Sequence, residues 1–157
     1  MNDWTEDERY AVRELGHLLL TEGRADLARV LFEGLIAIDP DDAWARLALA
    51  ATYRVEKRYE QASAELDEGL KRDPQSIETA LALGEIALLN GRLQEAKGCA
   101  AMVEYMARGH LMSEALRARV RRLLEAWRRA PELHSDLTLV LTGGNAGMFR
   151  EAGLDPL

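Results

Sequence analysis

The chain has 157 residues, 48% of them hydrophobic and 30% charged, with a formal net charge of -7. At roughly 150 residues per domain this predicts one domain, with enough apolar side chain for a core and too much for intrinsic disorder. The single cysteine, Cys99, excludes a disulfide framework and thiolate zinc cages, and the acidic balance disfavours nucleic acid as a partner.

The N-terminus, Met1-Asn2-Asp3-Trp4-Thr5-Glu6-Asp7-Glu8, is acidic where a signal peptide is basic. Glu78 and Glu85 interrupt the Ala/Leu-rich stretch around them, so no run nears the roughly 20 apolar residues that cross a bilayer. The expectation is a soluble, cytoplasmic chain without membrane insertion. Thr5 and Glu8 form a capping box that starts a first helix at about residue 6. Hydrophobic periodicity and stop signals then predict helices over residues 6–22, 25–38, 42–56, 59–72, 76–90, 92–107 and 113–130. Strand-like runs are nearly absent before residue 137, which makes the class all-α.

These elements repeat. Asp39-Pro40 recurs as Asp73-Pro74, and the step from the one pair to the other also aligns Leu15, Leu49 and Leu83; Gly16, Ala50 and Gly84; and Ala28, Ala62 and Ala96. Each copy is predicted to be a helical hairpin whose small residues let two helices approach while the leucine column fills their seam. Phe32, Leu66 and Ala100 take the inward face of the second helices. Gly23 and Gly91 stand where a left-handed residue closes the first helix cheaply, and Lys57 holds that place in the second copy, with mild strain. Pro40 and Pro74 stop the second helices.

Along the last predicted helix Leu116, Val120, Leu123, Leu124 and Trp127 share one face while Arg117, Arg121 and Arg128 line another, as a terminal cap of a repeat array requires. Residues 111–130 hold six arginines against two acidic residues; a solvated outer face is favoured over an RNA-attracting one. Beyond residue 130 lies a tail whose strand-like run, residues 136–141, is disordered, occupies the chain's own groove, or pairs with another chain.

The aligned columns, with Tyr59-Glu60-Gln61-Ala62 and Asp73-Pro74, resemble the tetratricopeptide repeat, in three copies at residues 9–42, 43–76 and 77–110 followed by a capping helix at 111–130 and a tail at 131–157. The stretch from Ala28 to Asp42, followed by Leu47-Ala48-Leu49-Ala50-Ala51, looks like the first repeat junction of bacterial type III secretion chaperones for translocator proteins. That resemblance implies a small cytosolic solenoid whose groove sequesters an apolar segment of a client protein until export. Those chaperones carry a longer leading segment used in dimer contacts, whereas the repeats here begin almost at the N-terminus; a homodimer stays an open option.

In such a solenoid the first helices line a concave face, here Tyr10, Arg13, His17, Trp44, Leu47, Ala48, Ala51, Arg54, Glu78, Leu81 and Glu85. Aromatic and arginine side chains dominate interface hot spots, so this mixture suits a client peptide or protein segment; the competing reading is that Tyr10 and Trp44 simply pack on neighbouring helices. The carboxylate clamp of heat-shock co-chaperones is excluded, because Glu14 and Ala48 stand where its asparagines would be. His17, His110 and His134 lie in different elements, so no metal site is expected. Cys99 reads as a buried thiol, and Thr142-Gly143-Gly144-Asn145 lacks the residues of a phosphate loop. No nucleophile is paired with a base, so the chain is read as a binding protein, not an enzyme, and no cofactor is implied. The alternatives are a structural subunit docked through its outer face and capping helix, and an RNA-associated adaptor.

Overall fold

Thr5 opens the first helix as its sequence predicts. Its hydroxyl accepts from the Glu8 amide at 3.2 Å while Glu8 Oε2 accepts from the Thr5 amide at 2.8 Å. The computed structural model describes residues 4–129, and within them lie seven helices: α1 (Glu6–Thr21), α2 (Ala25–Ile38), α3 (Ala43–Val55), α4 (Tyr59–Arg72), α5 (Ile77–Leu89), α6 (Leu93–Ala107) and α7 (Glu114–Arg129). No strand occurs among the described residues, and the strand-like run at 136–141 lies outside them. The repeat step recurs in the caps. Asp42 and Ser76 accept from the amides three residues on, opening α3 and α5.

The turns after α1, α3 and α5 share one geometry. Gly23, Lys57 and Gly91 have φ of 81°, 58° and 72°. In each turn the residue after that position donates back to a carbonyl five residues earlier: Arg24 to Leu19, Arg58 to Tyr53 and Arg92 to Ala87, all at 2.8 Å. This left-handed closure satisfies the last free carbonyls of the helix and reverses the chain. Pro40 and Pro74 follow α2 and α4, which end two residues before them.

The chain divides into two compact units, with the boundary between Pro74 and Gln75. In the first, α1 packs on α2, α2 on α3 and α3 on α4. Gly16 is what lets α1 meet α2: a Cβ there would stand 2.5 Å from Phe32 Cε1. Ala28, Phe32, Leu35, Ala45, Ala48 and Leu49 form the surrounding core, and Ala62 and Leu66 are buried on α4. In the second unit α5 packs on α6, and α7 lies against both. Gly84 is the contact point, with Leu123 and Cys99 3.0 and 3.1 Å from the position of its missing Cβ. Cys99 is a buried thiol, and Val120, Leu123 and Ala126 of α7 are buried.

One predicted column divides. Leu49 and Leu83 are buried, but Leu15 is 48% exposed. α2 lies against α3 and covers Leu49, whereas no described helix precedes α1, so the matching face of α1 is bare.

Candidate binding face

The first-unit part of the predicted face is built on α1 and α3. Arg13 and Trp44 are its centre. Arg13 Nη2 donates to Asp42 Oδ2 at 2.8 Å, and its guanidinium lies 5.3 Å from the centre of the Trp44 ring. Asp42 also caps α3 through its other oxygen, so one carboxylate both starts the helix that carries Trp44 and fixes the arginine over it. Phe32 meets the indole edge-on at 5.8 Å. Such cation–π and edge contacts are worth on the order of 0.5–1.5 kcal/mol each, enough to hold the ring in one orientation.

Trp44 keeps 36% of its surface exposed and Tyr10, on α1, keeps 60%. Leu47, Ala51 and Arg54 on α3 and His17 on α1 are half-buried, and His17 Nδ1 is shielded without a hydrogen-bond partner among the described residues. The arrangement can therefore offer aromatic and aliphatic surface beside fixed cationic groups. Ala48 presents none of that surface; it is fully buried, and its carbonyl accepts from Thr52 Oγ1 at 2.9 Å.

In the second unit Glu78 is exposed, but Leu81 and Glu85 are not available to a ligand as the sequence suggested. Leu81 is 0% and Glu85 1% exposed. α7 lies over this part of α5: Arg119 donates to Glu85 from Nε at 2.9 Å and from Nη2 at 2.8 Å. Burial opposes the charge on Arg119, yet the Glu85 carboxylate outweighs it and holds the guanidinium above its ordinary pKa. Arg122, on the same helix, is pushed below its usual value by burial. From the sequence, the arginine excess of this helix belongs to a solvated outer face, with Arg119 and Arg122 towards the end of the groove. A sequence signal for the pair exists, because one repeat step on from Glu85 stands Arg119.

A hollow that the sequence did not reveal lies elsewhere in the first unit. It is an open apolar furrow between α1 and α2, about 580 Å³, with Trp4, Val12, Val30 and Ile38 among its walls. Among the described residues, no group of three or more His, Cys, Asp or Glu side chains is placed to hold a metal ion, and no helix is long and apolar enough to cross a membrane.

Residues 19–78 match the tetratricopeptide repeat family. No curated protein sequence matches the chain. Among solved structures, PcrH from Pseudomonas aeruginosa is 28% identical with a TM-score of 0.74, over 81% of this chain and 96% of that one. PcrH in complex with the chaperone binding region of PopD is 27% identical, TM-score 0.74, over 83% and 98%. The type III secretion translocator chaperone SycD of Yersinia enterocolitica shares the fold at 22% identity and a TM-score of 0.73, over 83% and 90%. Residues 19–78 thus match the tetratricopeptide repeat and, over four-fifths of its length, the chain resembles the type III secretion translocator chaperones.

Proposed function

We propose that this chain is a protein-binding scaffold of three repeats, at residues 9–42, 43–76 and 77–110, acting as a type III secretion-type chaperone in a bacterial cytoplasm. Its activity is sequestration: an apolar segment of a client protein exchanges water for the surface of Tyr10, Trp44 and Leu47, with Arg13, His17 and Arg54 giving polar contacts that fix its direction. Ala51 leaves room beside these side chains.

The observation that carries this reading is the half-exposed Trp44, held from below by Phe32 and from the side by Arg13 on Asp42. A hot-spot aromatic already immobilised loses little entropy when a ligand covers it. The likeness to PcrH, whose structure holds the chaperone binding region of PopD, supports the same use of the fold here.

Purification of the tagged chain from its native host, with mass spectrometry of what accompanies it, tests the proposal. A secreted client should co-purify with the wild type and be lost with Trp44→Ala, while circular dichroism shows the fold intact. Retention of every partner by Trp44→Ala, with loss only on exchange of exposed α7 residues such as Arg117 and Arg121, would overturn it in favour of a subunit docked through the capping helix.

A further inference from the structure

α1 presents a second face, pointing away from Trp44. By the helical repeat of about 3.6 residues per turn, Ala11, Leu15 and Leu18 form one stripe, and Leu15 and Leu18 are 48% and 52% exposed. Their counterparts one repeat on, Ala45, Leu49 and Thr52, are buried, because α2 packs along that side of α3. The stripe of α1 therefore has the position and small-to-large profile of a helix-receiving face with no helix on it among the described residues.

The surface continues into the furrow between α1 and α2 through Val12, to Val30, itself 59% exposed. Repeat architecture does not demand an apolar lining there. One repeat step on from the furrow's Leu31, Gly34, Ala37 and Ile38 stand Glu65, Glu68, Lys71 and Arg72, all charged. Two repeat steps on, the same positions are apolar again, as Cys99, Met102, Tyr105 and Met106, so what sets the first copy apart is the bare helix face that joins its furrow, a patch of the kind that marks an interaction site.

The charges around it choose the occupant. Asp7, Glu14 and Glu22 fall within roughly 60° of the stripe on the α1 wheel, and all three are exposed, as is Asp26 at the start of α2. Arg9 and Arg13 turn to the other side of α1, where they pair with Asp39 and Asp42, and Arg24 is the cation at the α1–α2 turn. We propose that this face receives an amphipathic helix of another polypeptide, apolar along one stripe and rich in lysine or arginine at its edges. A second copy of the chain is a poorer match. Two α1 helices crossing antiparallel about Leu15 would set Glu8 of one against Glu22 of the other, and like charges across an interface are penalised.

Two synthetic peptides of one helical leucine pattern, edged by lysine in one and by glutamate in the other, test this by fluorescence anisotropy against the full chain. The lysine peptide should bind at least about tenfold more tightly, and its affinity should fall as salt rises. Leu18→Glu with Val30→Glu, both at exposed positions, should abolish the binding while the circular dichroism melt stays unchanged. Glu14→Lys with Glu22→Lys, which leaves the apolar stripe in place, should reverse the preference between the peptides. Equal binding of both peptides, indifference to either double substitution, or sedimentation as a dimer that Leu18→Glu dissociates would overturn the proposal. Trp44→Ala should leave the lysine peptide bound, so this test and that of the client face fail independently.

Discussion

Arg119 grips both carboxylate oxygens of Glu85, at 2.9 and 2.8 Å, across a separation of 34 residues, one full repeat. The register runs on beside the pair: Gly84 of α5 steps to Ala118 of α7. α7 is thus placed by the same periodicity as the helices before it, as the first helix of a further copy. An acid at that point of α5 and a base at that point of α7 turn two inward positions into a lock between the helices. The pair is nearly sealed, with side-chain exposures of 2% and 14%.

A sealed ion pair is sensitive to removal of one partner more than to removal of both. Arg119→Ala leaves the buried Glu85 carboxylate without its guanidinium, and should cost about 3–5 kcal/mol. The double variant Glu85→Gln with Arg119→Met retains the volume without the charge and should recover most of that loss. Urea denaturation of the three proteins checks this. Equal destabilisation by the single and double variants would mean that packing, not charge, holds α7 down.

Two helical glycines in the first unit should respond to alanine with opposite signs. At Gly16 the new methyl would lie 2.5 Å from Phe32 Cε1 and 2.7 Å from Cζ, and Phe32 is fully buried, so the ring has little room to yield. Gly16→Ala should cost about 1–3 kcal/mol. At Gly34 nothing lies within 4 Å of the missing Cβ, and alanine removes only the backbone entropy of glycine, a gain of roughly 0.5–1 kcal/mol. Thermal melts of the two variants should shift in opposite directions.

The architecture was legible because its determinants are local, and several of them recur at the repeat step. Thr5 with Glu8, the proline pair 40 and 74, and the turn positions 23, 57 and 91 each act through their own backbone, and each appears in the structure where spacing puts it. Burial of the face residues was less legible. Periodicity gives the side of a helix on which Leu81, Glu85 or Leu15 stands, but not whether a neighbour covers that side. α7 closes over Glu85, and among the described residues no helix lies on α1 as α2 lies on α3. Composition likewise does not say which of the six arginines between residues 117 and 129 pairs with Glu85.

Lys57 carries a measurable strain. It adopts φ of 58° at the position that glycine occupies in the other two turns, a conformation costing a residue with a Cβ on the order of 1 kcal/mol. Lys57→Gly relieves this but adds freedom to the unfolded chain, so the net gain should be some tenths of a kcal/mol. Gly91→Ala, the reverse exchange at φ of 72°, should destabilise by about 1 kcal/mol. A clear loss of stability on Lys57→Gly would show that the lysine side chain contributes more than its backbone costs.

The acid limb of the stability curve should carry a signature of Glu68. Hydrogen bonds from Lys71 and Arg72, at 2.7 Å each, hold its carboxyl at about 2, down from the usual 4.5. A depressed carboxylate favours the folded state while it is ionised in both states, above the unfolded value, and that contribution drains away as pH falls from 4.5 towards 2. Glu8, lowered by the Thr5 amide and hydroxyl, works in the same direction. Glu68→Gln should therefore flatten the pH dependence of the urea midpoint in that window. The group is exposed, so the effect is modest and shrinks in high salt. An unchanged slope at low ionic strength would show that the same contacts persist in the unfolded chain, where Glu68, Lys71 and Arg72 remain neighbours in sequence.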